Sequence, residues 1–395
     1  MGRGTNMKAN KIKRILAVSC ITMAVLFTGC SSQNVSVESG EISIGKDVGS
    51  EDSSAQNKGD GEVFKTQKTQ SEEDSTDVTI DIPEEKFKEP DETVQDDPQE
   101  EEKTTGDTKE VDLIFFMGQS NMSGCGGDAA KAPSVIPGAG YEYRAVSDPF
   151  SIHEIREPFG FSEFVIGGIC DTFDGKKGSM VSSFINEYYE QTGHTVVAVS
   201  ASAGATTTQD WLSQGFVTDL SLRVKNAHDY LNNNGYTVNN RYVVWLQGES
   251  DALERVNGDT YETNMDNIIR PLFIEGFTKV FIITPGRTKS NRNFFNEIID
   301  AQLDMCKKSD YYALASTMLS NISTDYMVDE WHYNQDVLNL LGRETAQSVA
   351  YYTNEGREMC IYDYKHDETF IPDSNDYSGD ETVEPTDFNG ILSQQ

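Results

Sequence analysis

Five short apolar runs alternate with amphipathic stretches through the middle of this chain, and that alternation restricts its fold more than any other feature. The runs are residues 111–117, 195–199, 242–246, 279–284 and 311–315, each rich in Val, Ile, Phe and Tyr. The stretches between and after them, residues 179–191, 218–232, 261–273, 294–307 and 335–352, carry helical patterning. Continuous apolar strands alternating with helices predict a mainly parallel sheet of five strands covered on both faces, an α/β fold. Residues 125–177 are the exception, being rich in Gly and Pro with no clear period. A loop that long inside a domain is usually functional, and this one is expected to wall a substrate site. The sequence contains no internal repeats.

Charge is distributed unevenly. The 395 residues carry a formal net charge of −33, much of it between residues 31 and 110. Like charge with few apolar residues predicts a disordered acidic linker, with a flexible-coil reach of roughly 50 Å. So acidic a chain is a poor candidate for binding nucleic acid through its charge. At the N-terminus Arg3, Lys8, Lys11, Lys13 and Arg14 precede an apolar stretch, residues 15–28, too short to span a bilayer. Phe27-Thr28-Gly29-Cys30 then resembles a bacterial lipobox, with Phe27 in place of the usual aliphatic residue. That resemblance implies lipidation of Cys30 and a location on the extracellular face of a membrane; secretion with cleavage nearby is the rival reading. The expected organisation is a signal peptide and lipobox over 1–30, an acidic linker over 31–110, an α/β domain over 111–360 and an acidic tail over 361–395 in which Ile361, Tyr362 and Phe370 could still dock. Cys125, Cys170, Cys306 and Cys360 remain in the mature chain, and their pairing stays open.

The first apolar run leads into Gly118-Gln119-Ser120-Asn121-Met122-Ser123-Gly124. A serine at the carboxyl end of a strand sits where open parallel sheets place their ligands. Acyl transfer by serine needs a base, a group that orients the base, and donors for the oxyanion. His332 is the candidate base, and Asp329, three residues earlier, the candidate orienting carboxylate. The order Ser, Asp, His is one of several convergent arrangements of that geometry. His153, His194, His228 and His366 are expected in hydrogen-bonded structural roles. The backbone N–H groups of Ser120 and Gly204 are the candidate oxyanion donors, with a third from the segment Gln247-Gly248-Glu249-Ser250-Asp251. No His, Cys and carboxylate cluster has metal-ligand spacing, so neither metal nor cofactor is expected.

Together, Gly118-Gln119-Ser120-Asn121-Met122, Gly204 with Trp211 seven residues on, Gln247-Gly248-Glu249-Ser250-Asp251 and Asp329-x-x-His332 resemble the SGNH hydrolase superfamily. More narrowly they are similar to its sialate O-acetylesterase and acetylxylan-esterase branch. The resemblance implies a three-layer α/β/α flavodoxin-like fold, with Ser120 as nucleophile and Asp329 and His332 as the acid–base pair. It also implies an acetylated glycan as substrate and no metal. Two departures stand out. Gly204-Ala205-Thr206 replaces the usual Gly-Gly-Thr, and Ser250 holds the position of the third-block asparagine, with Gln247 the substitute donor that this branch suggests. Gln119, Asn121, Glu249, Ser250 and Asp251 are candidates for support or substrate binding. Glu249 and Asp251 can also be read as a glycosidase carboxylate pair, although inside this motif they fit better as loop braces. Trp211, Trp245 and Trp331 suit either catalysis or sugar binding. The alternatives are an esterase or lipase acting on other small esters, or a non-catalytic glycan-binding lipoprotein on the same scaffold. The oligomeric state stays open.

Overall fold

The computed structural model describes residues 109–170, 175–373 and 382–395. Cys30, the signal segment and nearly all of the acidic linker lie outside them. Strand β1 (Lys109–Gly118) occupies the middle of the sheet, with β4 (Val196–Ser202) and β5 (Tyr236–Leu246) as parallel neighbours. Strands β6 (Lys279–Ile283) and β7 (Tyr312–Ser316) continue the sheet, again in parallel. All five apolar runs are therefore strands. Taken alone, their spatial order is second, first, third, fourth, fifth, the flavodoxin-like order.

Both faces of β1 are buried, which explains its unbroken apolar sequence. Leu113, Phe115 and Met117 face one core, shared with α4 (Gln214–Asn233), α6 (Gly258–Ile274) and α7 (Asn296–Lys308). Ile114 and Phe116 face the other, shared with α2 (Val181–Thr192) and α8 (Gln335–Glu355). Two helical layers thus cover one sheet.

The sheet has seven strands instead of five. The extra pair comes from the Gly- and Pro-rich segment: β2 (Gly140–Tyr143) runs parallel to β4, and β3 (Ile152–Glu154) is antiparallel to β2. Four- and three-residue strands are too short to show a period. Buried charge holds this segment in place. Glu163 accepts from the N–H groups of Val146 and Ser147, while Arg223 donates to Asp219, to Ser200 O and to Glu163 O.

Part of the acidic tail packs against the domain. Residues 361–370 form a hairpin of β8 (Ile361–Asp363) and β9 (Glu368–Phe370), with Ile361 and Phe370 buried. After residue 381 the chain returns as α9 (Phe388–Leu392), burying Phe388 and Leu392. A few apolar residues dispersed among acids are enough to dock it. No helix among the described residues is long and apolar enough to cross a membrane.

Candidate active site

The turn after β1 is built around a glycine. Gly118 has φ +142°, and a Cβ there would lie 2.0 Å from Leu246 O of β5. Only glycine allows that approach. Gln119 N–H donates to the same carbonyl at 3.0 Å. Ser120 then opens the short helix α1 (Ser120–Ser123), which Gly124 closes in the left-handed region. As the first helical residue, Ser120 has an N–H with no carbonyl in a preceding turn to accept it. Ser120 is partly exposed, whereas Asn121, Met122 and Ser123 are buried.

The candidate base arrives on a tight loop. Val328 N–H donates to His332 O at 2.9 Å, and Asn334 caps α8 by accepting from Val337 N–H. His332 is thereby held two residues before the helix cap. Asp329 Oδ1 accepts from the backbone N–H groups of Trp331 (2.8 Å) and His332 (2.9 Å), and Oδ2 lies 2.7 Å from His332 Nδ1. Burial pushes the Asp329 carboxyl up, but His332 and these N–H donors outweigh it and lower the group to about 2. Burial pulls His332 down, but Asp329, hydrogen-bonded to its side chain, and the neighbouring Cys125 raise it to about 10.

Asn121 joins the two loops. Its Nδ2 donates to Glu249 Oε1 at 2.8 Å and to Trp331 O at 3.1 Å, and its Oδ1 accepts from Tyr333 N–H at 3.3 Å. The residue after the serine thus grips the backbone on both sides of the histidine. Among the described residues no hydrogen bond links Ser120 Oγ to His332. Catalytic hydrogen bonds are often long before substrate binds. The loop after α1 also presses on the histidine, since a Cβ on Gly126 would lie 2.9 Å from His332 Cβ.

Cys125 has a measurable consequence. A base acts only when unprotonated, and the neighbours of His332 favour its proton. The acid limb of kcat/KM should therefore lie well above 6.5, with activity still rising through pH 8. Cys125→Ala removes one of the favouring groups and should move that limb to lower pH. Profiles of both proteins on a soluble acetyl ester, corrected for spontaneous hydrolysis, check this.

Gly204 follows β4, where Ala203 N–H donates to Gly118 O at 2.9 Å, so the second-block loop sits beside the serine turn. Ala205, in place of the usual glycine, adopts φ +55°. A left-handed conformation is unfavourable by roughly 1–2 kcal/mol for an L-residue with a Cβ. Ala205→Gly should therefore raise stability by about 0.5–1 kcal/mol, after allowing for the extra chain entropy of glycine. Urea unfolding of the two proteins measures it.

Gln247 is fully buried and turned into the protein. Its Nε2 donates to Thr206 O at 2.9 Å and to Asp251 Oδ2 at 2.5 Å, and its Oε1 accepts from Tyr261 OH at 3.1 Å. Both amide hydrogens have internal acceptors, so neither is left for an oxyanion in this arrangement. Ser250 N–H donates to Gln119 Oε1 at 3.3 Å. Asp251 accepts from Thr208 N–H and Oγ1, and Glu249 is tied to Asn121. Both carboxylates brace loops.

The tryptophans and the other histidines have different surroundings. Trp211 and Trp245 are core residues packed against each other, whereas Trp331 is partly exposed and packs on Phe294 and Phe295. His153, His194, His228 and His366 pair with Asp148, Asp112, Glu275 and Asp363. Among the described residues no group of three His, Cys, Asp or Glu side chains is placed to hold a metal.

A serine turn, an Asp–His loop clamped to it and a glycine loop alongside form the centre to which known proteins can be compared. The family model for "carbohydrate esterase, sialic acid-specific acetylesterase" matches residues 110–351, more than half of the chain. The chain belongs to this family. It is a carbohydrate esterase, a hydrolase acting on esters. No curated protein matches it. Among solved structures, a protein from Arabidopsis thaliana is 19% identical with a TM-score of 0.45, covering 62% of this chain and 98% of its own. NanS is 10% identical with a TM-score of 0.45, covering 63% and 98%. An acetyl-xylooligosaccharide esterase from Geobacillus Stearmophilus is 10% identical with a TM-score of 0.34, covering 64% and 97%.

Sequence reading passed over two parts of this esterase site. Cys125 follows the serine by five residues, but nothing in its local sequence shows that the loop folds back onto His332. The partners of Gln247 (Thr206, Asp251 and Tyr261) come from three separate elements, and only the tertiary structure unites them.

Proposed function

We propose that this carbohydrate esterase removes O-acetyl groups from a glycan by a Ser120–His332–Asp329 mechanism, outside the cell and tethered through Cys30. The clamp of Asn121 across both sides of His332 carries the reading, because it ties the base loop directly to the nucleophile helix. Ser120 Oγ attacks the acetyl carbonyl carbon as His332 takes its proton. Asp329 holds Nδ1–H, fixing the tautomer that leaves Nε2 to act. The N–H groups of Ser120 and Gly204 are the donors proposed for the tetrahedral oxyanion. Collapse expels the sugar oxygen, which receives the proton from His332 and leaves acetyl-Ser120. Water, deprotonated by His332, then attacks the acyl carbon; the bond to Ser120 Oγ breaks, Oγ takes the proton back from His332, and acetate leaves. Gln247 contributes by holding the Gly204–Thr206 loop through Thr206 O.

Acetate release from acetylated xylan, sialic acid, pectin and peptidoglycan fragments tests the substrate class. Turnover on at least one glycan should exceed that on a simple aryl acetate in kcat/KM. Equal rates on every ester would favour a general esterase.

A further inference from the structure

Glu249 lies at the start of α5 (Glu249–Leu253), on the far side of Asn121 from the His332 loop. It is 4% exposed, and its Oε2 is buried without a hydrogen-bond partner among the described residues. A buried carboxylate with one orphaned oxygen is costly, and such groups usually have a specific task. Its other oxygen receives Asn121 Nδ2, the same nitrogen that donates to Trp331 O. An amide nitrogen has two hydrogens, so fixing one on Glu249 aims the other at the His332 loop. The amide orientation also decides that Oδ1 faces Tyr333 N–H.

We infer that Glu249 is a positioning residue: through Asn121 it sets which way the amide points, and so locks the loop carrying His332 onto the helix carrying Ser120. Its hydrogen bond goes to Asn121 and not to Ser120 or His332. A serine or an aspartate at position 121 could not grip both sides of the histidine while also holding α5. The groups facing His332 are Asp329 on its own loop, Cys125 on the loop after α1, and Glu249 from α5. Those facing Glu249 are Asn121, His332, Asp251, Tyr261 and Tyr333. Burial raises the Glu249 carboxyl, while the Asn121 hydrogen bond and the charge of His332 oppose that rise.

The inference rests on the proposed serine mechanism, so Ser120→Ala is assayed alongside. Loosening the base loop by an ångström can cost about a hundredfold in rate. Glu249→Ala is expected to lower kcat by about 10- to 100-fold on an acetyl ester, with KM within about twofold. Glu249→Gln keeps an oxygen for Asn121 and should recover most of that loss. It removes one negative charge facing His332, so the acid limb of its pH profile should shift to lower pH. Asn121→Ala should match Glu249→Ala, and the double variant should fall no further, because the two act as one strut. Unfolding midpoints identify any variant that loses activity merely by unfolding, and Glu249→Gln then carries the test. Losses that multiply in the double variant, a change confined to KM, or wild-type kcat in Glu249→Ala would overturn the inference while Ser120→Ala stays inactive. An active Ser120→Ala would instead refute the mechanism itself.

Discussion

Ser120→Ala should lower turnover of an acetyl ester by about 10⁴-fold or more, because it removes the atom that forms the acyl bond. The residual rate should reflect water attack assisted by the remaining donors. Stability should hardly change. Ser120 is partly exposed at the surface end of β1, and the turn geometry belongs to Gly118, Gln119 and Asn121. The expected signature is lost kcat with an unaltered unfolding midpoint. Initial rates combined with thermal unfolding of the same preparations measure both halves.

Gln247→Ala has the second largest expected effect, of a different kind. The side chain is fully buried and connects three elements through Thr206 O, Asp251 and Tyr261 OH. Truncation leaves a cavity and three polar groups short of a partner, one of them a carboxylate. Each such group costs roughly 1–3 kcal/mol, so about 3–5 kcal/mol of stability should be lost. Activity should fall as well, since Thr206 follows Gly204 and Ala205 and their loop loses its tether. An oxyanion donor behaves differently, because its removal lowers kcat with little destabilisation. Denaturant unfolding separates the two roles. A midpoint matching wild type together with a hundredfold loss in kcat would restore Gln247 to the oxyanion hole.

The contrast between these residues explains what was readable in the sequence. Ser120, Gly204, Asp329 and His332 sit at ends of strands or starts of helices, where short local motifs report position. The five long strands were legible because burial on both faces forces unbroken apolar runs. Strands β2 and β3 were not, being held mainly by pairing and by Glu163 and Arg223, which are distant in sequence. Ile361 and Phe370 stood out among the acids as residues able to dock, and both are buried, but three-residue strands have no period to show the hairpin itself. Gln247 and Cys125 illustrate the same limit within the site. A motif places a side chain in a loop, but the direction in which it points depends on Tyr261, Thr206 or His332, far along the chain.

Cys125 also makes the central claim open to a direct test, since the nucleophile has a sulfur competitor beside the same base. Labelling the enzyme with an alkyl fluorophosphonate and mapping the adduct by peptide mass spectrometry distinguishes the two. The serine mechanism predicts a single adduct on Ser120, retained in Cys125→Ala and absent in Ser120→Ala, with activity lost in proportion to labelling. Inactivation with the adduct on Cys125 and Ser120 unmodified would contradict it.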